Sequence, residues 1–331
     1  MPPPIISVIV PTFNREQLLP RALDSILHQT CTNWEIVLVD DGSTDRTSEI
    51  IRAYQEKLGD RLIAIRQINQ GCSAARNRGI EAARGHFVAF LDSDDEFMPE
   101  KLERQLALFD RCPKLGLVYS DYVFIDLDGT KYDRAIAAKM PIGLTVEKEE
   151  IEPGLFVCKG SIFDTLIRGY FIATIVGMVR REVLGKSIRF SPKLSYAEEW
   201  LFFLEVARTC RTGYVDEALC VHHATRGSLA RTDTVSNFVR QREVLQAVLR
   251  TFSDLPSQDR RSLRLRCAAT CRQLGVEALR RNDRRAAMRE FLTGLRFGDA
   301  RQAWDWLTCI MGIATTPTNN HNERIATQNT P

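Results

Sequence analysis

The sequence lacks the features that mark a secreted or membrane-spanning protein. Its nine cysteines are odd in number and none forms a Cys-x-x-Cys pair, so neither a disulfide framework nor a zinc site is indicated. No signal peptide is evident, because Met1-Pro2-Pro3-Pro4 leads directly into an apolar run, and no run of 18 apolar residues follows anywhere. We therefore expect a cytoplasmic protein, with the inner face of the cell membrane as an alternative location.

Lysine is absent from residues 231–331, although this stretch holds 17 arginines against 10 acidic residues. The preceding 230 residues hold 28 basic and 32 acidic residues. An arginine-rich helical region is most simply a solvated face, and the alternative is peripheral contact with an anionic lipid surface. No feature of the chain indicates nucleic acid as a partner. Glycine-rich GxGxxG and Walker loops are also missing, so dinucleotide and ATP chemistry are not indicated.

Hydrophobic periodicity alternates between strand and helix over the first 120 residues. The predicted strands are Ile5–Val10, Trp34–Val39, Leu62–Ile68, Phe87–Leu91 and Leu117–Ser120. Three of the predicted helices are Arg15–His28, Ser73–Arg84 and Glu100–Phe109, and Gly85 is expected to end the second of them. A further helix carries Ile50 to Leu58 and is expected to be capped by Thr44 or Asp45. Short connections between alternating strands and helices predict an α/β fold, a mostly parallel sheet flanked by helices.

The remaining chain divides into two parts. Residues 121–195 show less regular patterning and are expected to form the acceptor-side half, followed by a helix over Tyr196–Arg208. Helical spacing of apolar residues from about 235 predicts an all-helical C-terminal appendage. We therefore expect a catalytic domain over 1–230, a helical extension over 231–313 and a disordered tail over 314–331.

Polar motifs follow the predicted strands at the edge where ligands bind in such sheets. Asp92-Ser93-Asp94-Asp95 follows the fourth strand, and carboxylates two residues apart can point to one side and share a divalent cation with a diphosphate. The alternative is a polar loop with helix-capping aspartates, and we interpret Asp95 as a cap.

After the second strand, Asp40 and Asp41 can accept hydrogen bonds from a base or ribose, or they can simply close a turn.

Two further groups have functional and structural interpretations. Thr12 and Asn14 can contact a base or ribose, or form local turn bonds. Gly71 permits close backbone approach at a helix N-terminus, where Arg76 can meet a phosphate or sugar hydroxyl, or pair with a nearby aspartate.

Acidic and imidazole groups in the second half are candidates for proton transfer and metal binding. Glu198 and Glu199 lie at the start of an amphipathic helix. An apolar setting raises the pKa of a carboxyl group, which favours a role as general base. The alternative is a negative charge that only stabilises the N-terminus of the helix through the helix dipole. His222 and His223 point opposite ways on a strand, so at most one is expected to face a phosphate or metal, and a structural role is the alternative.

These motifs resemble bacterial family 2 glycosyltransferases, which have the GT-A fold. The matching segments are Val8-Ile9-Val10-Pro11-Thr12-Phe13-Asn14-Arg15, Ile36 through Asp45, Asn69-Gln70-Gly71 with Ala74 through Ile80, and Phe90-Leu91-Asp92-Ser93-Asp94-Asp95. Order and spacing agree strongly over about residues 5–110 and weakly over 111–230. The resemblance implies an inverting transfer of a sugar from a nucleotide-diphosphate sugar, with UDP favoured, to a glycan, lipid-linked or protein acceptor in cell-surface polysaccharide or glycoconjugate synthesis.

The resemblance also implies roles for individual residues. Asp40 would hold the base, Asp41 would lie near the ribose, and Asp94, supported by Asp92, would bind Mn²⁺ or Mg²⁺ in a DXD motif. The family places Glu-Asp at the start of the second-half helix, whereas this chain has Glu198-Glu199, and we prefer Glu199 as the base. The expected catalytic residues are Glu199 and Glu198; the expected donor-binding residues are Pro11, Thr12, Asn14, Asp40, Asp41, Gly71, Arg76, Asp92 and Ser93; the expected metal ligands are Asp94, Asp92 and His222.

Two alternatives to an active transferase stay open. A sugar nucleotidyltransferase would carry a glycine-rich basic loop after the first strand, where this chain has Pro11-Thr12-Phe13-Asn14-Arg15. A sugar-nucleotide-binding scaffold with a helical interaction tail would explain the Glu-for-Asp departure. The helices around Gly275–Phe297 loosely resemble one tetratricopeptide helix pair, which cannot bury its own apolar face alone.

Overall fold

A computed structural model describes residues 4–225 and 234–298. The chain divides into two compact units, Met1–Arg226 and Gly227–Pro331. The last part of the expected helical extension, from residue 299 to 313 and including the apolar stretch around Trp304 to Ile313, lies outside the described residues, and so does the tail over 314–331.

The first unit is built on strands and short helices. Its strands are β1 (Ile6–Thr12), β2 (Trp34–Asp40), β3 (Leu62–Arg66), β4 (Phe87–Phe90), β5 (Glu96–Phe97), β6 (Leu115–Ile125), β7 (Lys131–Tyr132), β8 (Lys148–Glu152), β9 (Leu155–Cys158), β10 (Gly177–Arg180) and β11 (Arg211–His223). Its helices are α1 (Leu19–Leu27), α2 (Thr47–Leu58), α3 (Cys72–Ala82), α4 (Lys101–Arg111), α5 (Ala135–Lys139), α6 (Phe163–Leu166), α7 (Arg181–Leu184) and α8 (Glu198–Thr209). Short 3₁₀ turns cover Gly59–Arg61, Pro141–Thr145 and Thr174–Val176.

All the strands of this unit join one sheet, and its first half is parallel as predicted. The strand order is β3-β2-β1-β4-β10-β6-β11-β9-β8, with β5 on β11 and β7 on β6. Strands β3, β2, β1 and β4 pair in parallel. Every residue of β1 and β2 is buried, as expected of strands covered by helices on both faces.

The second half of the sheet is mainly antiparallel, so the sheet as a whole is mixed rather than mostly parallel. Strand β10 runs antiparallel to both β4 and β6, and β9 runs antiparallel to β11 and β8. The pair β6 and β11 is parallel. The segment 121–195, expected to be irregular, supplies the strands β7 to β10. Their short lengths and charged residues hide the period-two signal that identifies a strand.

The predicted helices begin and end a few residues away from their bounds in the structure, and two of these differences have a clear physical cause. Helix α1 begins at Leu19 rather than Arg15, because Pro20 occupies its first turn, where a missing N–H is tolerated. Helix α3 ends at Ala82, and Gly85 is not its C-terminal cap. A Cβ atom at Gly85 would lie 2.6 Å from the amide nitrogen of Ser7, so a glycine there lets two backbones pass closely.

The second unit is helical over its described part, as predicted, with α9 (Thr234–Thr251), α10 (Ser257–Arg280) and α11 (Arg284–Arg296). Cys267 and Cys271 lie one helical turn apart as fully buried free thiols, so they serve as small core residues. Phe291 of α11 packs so closely on α10 that a Cβ atom at Gly275 would lie 2.3 Å from its ring. None of the helices in the described residues is long and apolar enough to cross a bilayer.

Candidate functional site

The parallel strands bring three of the predicted motifs to one edge of the sheet. Thr12 is in register with Asp40, and Asp40 is in register with Arg66. The loops that follow are tied together, because the amide of Asp41 donates to the Thr12 carbonyl at 2.9 Å. The carboxyl ends of β1, β2 and β3 therefore form one polar wall.

Asp40 and Asp41 organise this wall from inside, since both are almost fully buried. Asp40 accepts the amide of Ser43 at 2.9 Å, which confirms the turn interpretation. Asp41 accepts the amides of Gln70 and Gly71 at 2.9 and 2.8 Å. It thereby fixes the loop that leads into α3.

Thr12 and Asn14 differ in how fully their polar atoms are satisfied. Asn14 has a left-handed backbone (φ 52°), and its side-chain oxygen accepts the amide of Thr44 at 2.8 Å, so the local turn interpretation holds. The hydroxyl of Thr12 is buried and has no hydrogen-bond partner in the described structure. A buried hydroxyl without a partner is unfavourable, and a bound ligand would satisfy it.

Arg76 joins the acidic cluster to the start of α8. Its side chain is 5% exposed. It donates to Asp92 Oδ1 at 2.6 Å and to Glu198 Oε1 at 2.7 Å. Burial lowers the pKa of this guanidinium, but the charges of Asp92 and Glu198 outweigh burial and raise it. The predicted pairing with an aspartate is thus present. The bond to Glu198 spans 122 residues, and no local sequence pattern indicates it.

Burial alternates along the acidic cluster. Asp92 and Asp94 are partly exposed, whereas Ser93 and Asp95 are buried. This alternation supports the expectation that the two aspartates point to the same side. Asp94 Oδ2 accepts the hydroxyl of Thr225 at 2.9 Å.

Asp95 is not a helix cap, contrary to the sequence interpretation. Its carboxylate is fully buried and accepts the amide of His223 at 2.9 Å. It also lies 2.9 Å from His222 Nδ1. The residue before α4 is Glu100, and its side chain makes no capping bond. Asp95 therefore holds the acidic cluster against β11.

The two histidines of β11 both pair with the acidic segment. His223 Nε2 lies 2.7 Å from Glu96 Oε1, alongside the contact between His222 and Asp95. Burial lowers the pKa of His222, but the charge and hydrogen bond of Asp95 outweigh it and raise the pKa to about 9. The structural role is thus present for both rings. His222 is 38% exposed, and its Nε2 has no hydrogen-bond partner among the described residues.

Glu199 has the clearest electrostatic signature of a base. It lies in the first turn of α8, after Ala197 in a left-handed conformation (φ 49°). Burial and the neighbouring charge of Glu198 raise its pKa to about 7, against the lowering effects of Arg76 and the hydroxyl of Tyr170. A carboxyl group with a pKa near neutrality exchanges protons readily at physiological pH. The stabilising effect of the helix N-terminus is therefore the smaller influence on Glu199.

The oxygen atoms of the acidic cluster fit a hard divalent cation. Arg76 donates to Oδ1 of Asp92, and Thr225 donates to Oδ2 of Asp94. The other oxygen of each carboxylate accepts no hydrogen bond from any described residue. In residues 4–225 and 234–298 no group of three or more His, Cys, Asp or Glu side chains could by itself hold a metal ion. Mg²⁺ and Mn²⁺ commonly bind one or two carboxylates and complete their shell with phosphates and water. The donor set therefore suits a cation shared with a diphosphate.

Some residues around the site have no signal in the sequence. Tyr170 donates to Glu199 from a segment without a recognisable motif, and Thr225 reaches Asp94 across 131 residues. Arg15 Nη2 lies 3.7 Å from Asp94 Oδ2. Only the folded sheet brings these side chains to the acidic cluster.

Residues 7–164 match the sequence profile described as Glycosyl transferase family 2. The putative teichuronic acid biosynthesis glycosyltransferase TuaG of Bacillus subtilis (strain 168) is 30% identical over 229 residues, which cover 69% of this chain and 82% of that protein. An uncharacterized glycosyltransferase of Haemophilus influenzae is 35% identical over 202 residues, covering 61% of this chain and 71% of that protein. The PGL/p-HBAD biosynthesis glycosyltransferase of Mycobacterium bovis (strain BCG / Pasteur 1173P2) is 42% identical over 124 residues, 37% of this chain and 48% of that protein.

Two solved structures share the fold. The crystal structure of S. aureus TarS 1–349 in complex with UDP-GlcNAc has a TM-score of 0.66 at 21% identity, and the match covers 90% of this chain and 82% of that one. The mannosyltransferase PcManGT from Pyrobaculum calidifontis, in complex with GDP-Man and Mn²⁺, has a TM-score of 0.57 at 17% identity over 93% of this chain and 80% of that one. These likenesses confirm the expected GT-A fold. Together with the sequence profile and the Bacillus relative, they show that the chain belongs to glycosyl transferase family 2.

Proposed function

We propose that this glycosyltransferase moves a sugar from a nucleoside-diphosphate donor, with UDP-sugars favoured, to an acceptor hydroxyl with inversion at the anomeric carbon. The observation that carries the proposal is the ion-paired chain from Asp92 through Arg76 to Glu198, which fixes the acidic cluster beside Glu199. This arrangement supports the proposal, because a diphosphate bound at the acidic cluster would lie near a carboxyl group that would accept a proton. The UDP-GlcNAc bound to S. aureus TarS supports the choice of donor.

On the donor side, the polar wall would hold the nucleoside. Pro11, Thr12 and Asn14 would line it after β1, and Thr12 offers the unsatisfied hydroxyl. Asp40 and Asp41 would approach the base and ribose while keeping their bonds to the loops. Gly71 carries no side chain and has a positive φ of 88°, so the backbone can approach a phosphate closely at the N-terminus of α3.

The acidic cluster would hold a divalent cation. Asp94 would be the main ligand, Asp92 would support it through its free oxygen, and Ser93 would lie between them beside the diphosphate. When bound, Mn²⁺ or Mg²⁺ would neutralise the charge that develops on the leaving diphosphate. While it is protonated, His222 would donate its Nε2–H to a phosphate, and it would bind the cation only after losing that proton. The Mn²⁺ in the Pyrobaculum mannosyltransferase supports a metal in this fold.

Glu199 would act as the general base. The acceptor hydroxyl passes its proton to the carboxylate as its oxygen forms a bond to the anomeric carbon, and the bond from that carbon to the diphosphate oxygen breaks. A single displacement of this kind inverts the anomeric configuration. Glu198 is less suited to the task, because Arg76 holds its carboxylate in an ion pair at 2.7 Å.

The names of the relatives support a class of acceptor. The names of the Bacillus and Mycobacterium proteins refer to teichuronic acid and PGL/p-HBAD biosynthesis, so we propose a role in cell-surface polysaccharide or glycoconjugate synthesis. The acceptor would be a glycan, a lipid-linked glycan or a protein. We also propose a cytoplasmic location at the inner membrane face, with peripheral contact through the arginine-rich C-terminal helices, and binding of the full chain to anionic lipid vesicles tests this contact.

A donor panel tests the proposal directly. The full chain is incubated with UDP-, GDP- and dTDP-sugars, with Mn²⁺, Mg²⁺ or excess chelator, and nucleotide release is measured. We expect release from a UDP-sugar that needs the metal and falls by at least ~100-fold in Asp94→Ala, because the leaving charge is no longer neutralised. NMR of the product anomer checks inversion.

Three outcomes contradict parts of the proposal. Full turnover in Asp94→Ala shows that the metal assignment is wrong. Retained anomeric configuration removes the single displacement. Tight UDP binding by calorimetry without turnover of any donor favours a sugar-nucleotide-binding scaffold instead.

A further inference from the structure

The first turn of α8 is held by the last residue of α6, Leu166, and by Tyr170 in the chain segment that follows it. Tyr170 donates its hydroxyl to Oε1 of Glu199 at 2.9 Å. One residue further along the helix, Trp200 Nε1 donates to the carbonyl of Leu166 at 2.8 Å. Because Leu166 and Tyr170 belong to one short segment, that segment fixes both the start of the helix and the carboxylate on it.

Several titratable or charged groups surround Glu199. They are Glu198 on its own helix, Arg76 and Cys72 on α3, Tyr122 on β6, Tyr196 just before α8, and Tyr170. Arg76 directs its hydrogen bonds to Glu198 and Asp92. Within the described structure, Tyr170 is the one side chain whose hydrogen bond reaches the carboxylate of Glu199.

The hydrogen bond acts on a side chain that needs orientation. A glutamate has one more rotatable bond than the aspartate that the resembling family carries at this position. A glutamate loses side-chain conformational freedom when it is held in one rotamer, and a hydrogen bond to its carboxylate offsets that loss. Since Tyr170 occupies Oε1, the bond selects rotamers in which Oε2 is left to accept a proton.

We propose that Tyr170 is a positioning residue, which directs the longer side chain of Glu199 so that Oε2 meets the acceptor hydroxyl. The inference rests on the proposed role of Glu199 as base. It assigns to the segment after α6 a function that its sequence does not reveal. The raised pKa of Tyr170, caused by burial and by the charge of Glu199, keeps its hydroxyl protonated and able to donate.

The test is Tyr170→Phe, which removes the hydroxyl and keeps the ring. We expect kcat to fall roughly tenfold, because misplacing a reacting group by a fraction of a bond length has effects of that order, while KM for the donor stays unchanged. The acid limb of the pH–rate profile should move to higher pH, because the lost donor no longer stabilises the charged carboxylate. Tyr196→Phe is the matched control, since Tyr196 lies near Glu199 without a hydrogen bond to it.

A second measurement reports on the carboxylate without turnover. The ¹³C carboxyl resonance of Glu199 is assigned by its loss in Glu199→Gln, and its titration is followed in the wild type and in Tyr170→Phe. We expect the midpoint to be higher in Tyr170→Phe and unchanged in Tyr196→Phe. Thermal unfolding and UDP affinity check that the variants fold and keep their donor site.

The outcomes separate this inference from the proposed function. A normal rate with an unmoved acid limb overturns the positioning role, and so does a lower rate with an unmoved limb, since that pattern reports a purely structural effect. An unchanged carboxyl titration overturns it independently of activity. Full transfer by Glu199→Gln overturns the base assignment itself, whatever Tyr170→Phe shows.

Discussion

The proposed base, Glu199, is a carboxyl group whose ionisation lowers the stability of the fold. Burial and the charge of Glu198 raise the pKa of its carboxyl group to about 7, whereas the ordinary pKa of a glutamate, taken for the unfolded chain, is 4.5. The folded state therefore binds this proton more tightly than the unfolded state. The stabilising contribution of the protonated group is complete below about pH 4.5 and is lost as the pH rises through 7.

We expect Glu199→Gln to be more stable than the wild type at pH 8 by about 2–4 °C in melting temperature, and the difference should vanish towards pH 5. The same variant should lose nearly all transfer activity, while wild-type activity should rise as the pH passes through about 7 and level off at higher pH, where the base is fully ionised. Calorimetry and nucleotide release across pH 5–9 measure both effects. Glu205→Gln, on the same helix and with a pKa also raised by burial, is the control and should keep the wild-type pH–rate profile. Equal melting temperatures of Glu199→Gln and wild type at pH 8 would contradict the raised pKa.

At the scale of elements, helix α3 determines how close Arg76 comes to the sheet. A Cβ atom at Gly79 would lie 2.4 Å from Cγ2 of Ile9, so the helix rests directly on β1. Ile9 is β-branched and fully buried, so it has little freedom to turn away. A side chain at position 79 would therefore push the helix outward and displace Arg76 from Asp92 and Glu198.

We expect Gly79→Ala to destabilise the protein by about 1–3 kcal/mol, the usual range for overpacking a core, and to lower activity as well. In a protein that already carries Ile9→Ala, the same substitution should have a much smaller effect, because the clashing methyl group is gone. Chemical denaturation of the two single variants and the double variant measures this coupling. Additive effects of the two substitutions would show that α3 does not rest on Ile9. Gly59→Ala cannot serve as a control for Gly79→Ala, because Gly59 has a positive φ of 53°, at which a residue with a side chain has a strained backbone.

The elements also show what the sequence can and cannot predict. Continuous apolar runs identified β1, β2 and β4 to within one or two residues, because strands buried on both faces have a strong local signal. Strand β6 was predicted only over Leu117–Ser120, since the buried Asp121 interrupts its apolar run; the fold satisfies that carboxylate with Arg134 at 2.9 Å. The role of Asp95 was missed for a similar reason, because its partners His222 and His223 are more than 120 residues away. Local pattern therefore predicts the strands and the polar motifs that follow them at one edge of the sheet, whereas the contacts that surround Asp95 depend on long-range pairing.

At the scale of the whole molecule, charge is distributed so that the acidic cluster is partly compensated from within its own unit. Arg76 pairs with Asp92, and Arg15 lies 3.7 Å from Asp94. Each arginine leaves a carboxylate oxygen without a donor from the described residues. A diphosphate brought to this edge of the sheet meets carboxylates of the same sign, and direct repulsion would oppose binding. A divalent cation between them removes that repulsion, so donor binding and metal binding are expected to be coupled.

This coupling predicts how ligands change the stability of the full chain. A ligand that binds only the folded state stabilises it by about 2.7 kcal/mol when present at 100 times its Kd. We expect UDP with Mn²⁺ to raise the melting temperature clearly, and UDP with excess chelator to have much less effect, because its affinity falls when the repulsion is not compensated. Asp94→Ala should reduce the difference between the two conditions, whereas Asp128→Ala, which removes an exposed carboxylate from the turn before β7, should preserve it. If UDP stabilises the wild type equally with Mn²⁺ and with chelator, the acidic cluster does not couple metal to nucleotide, and Arg15 and Arg76 alone compensate the diphosphate.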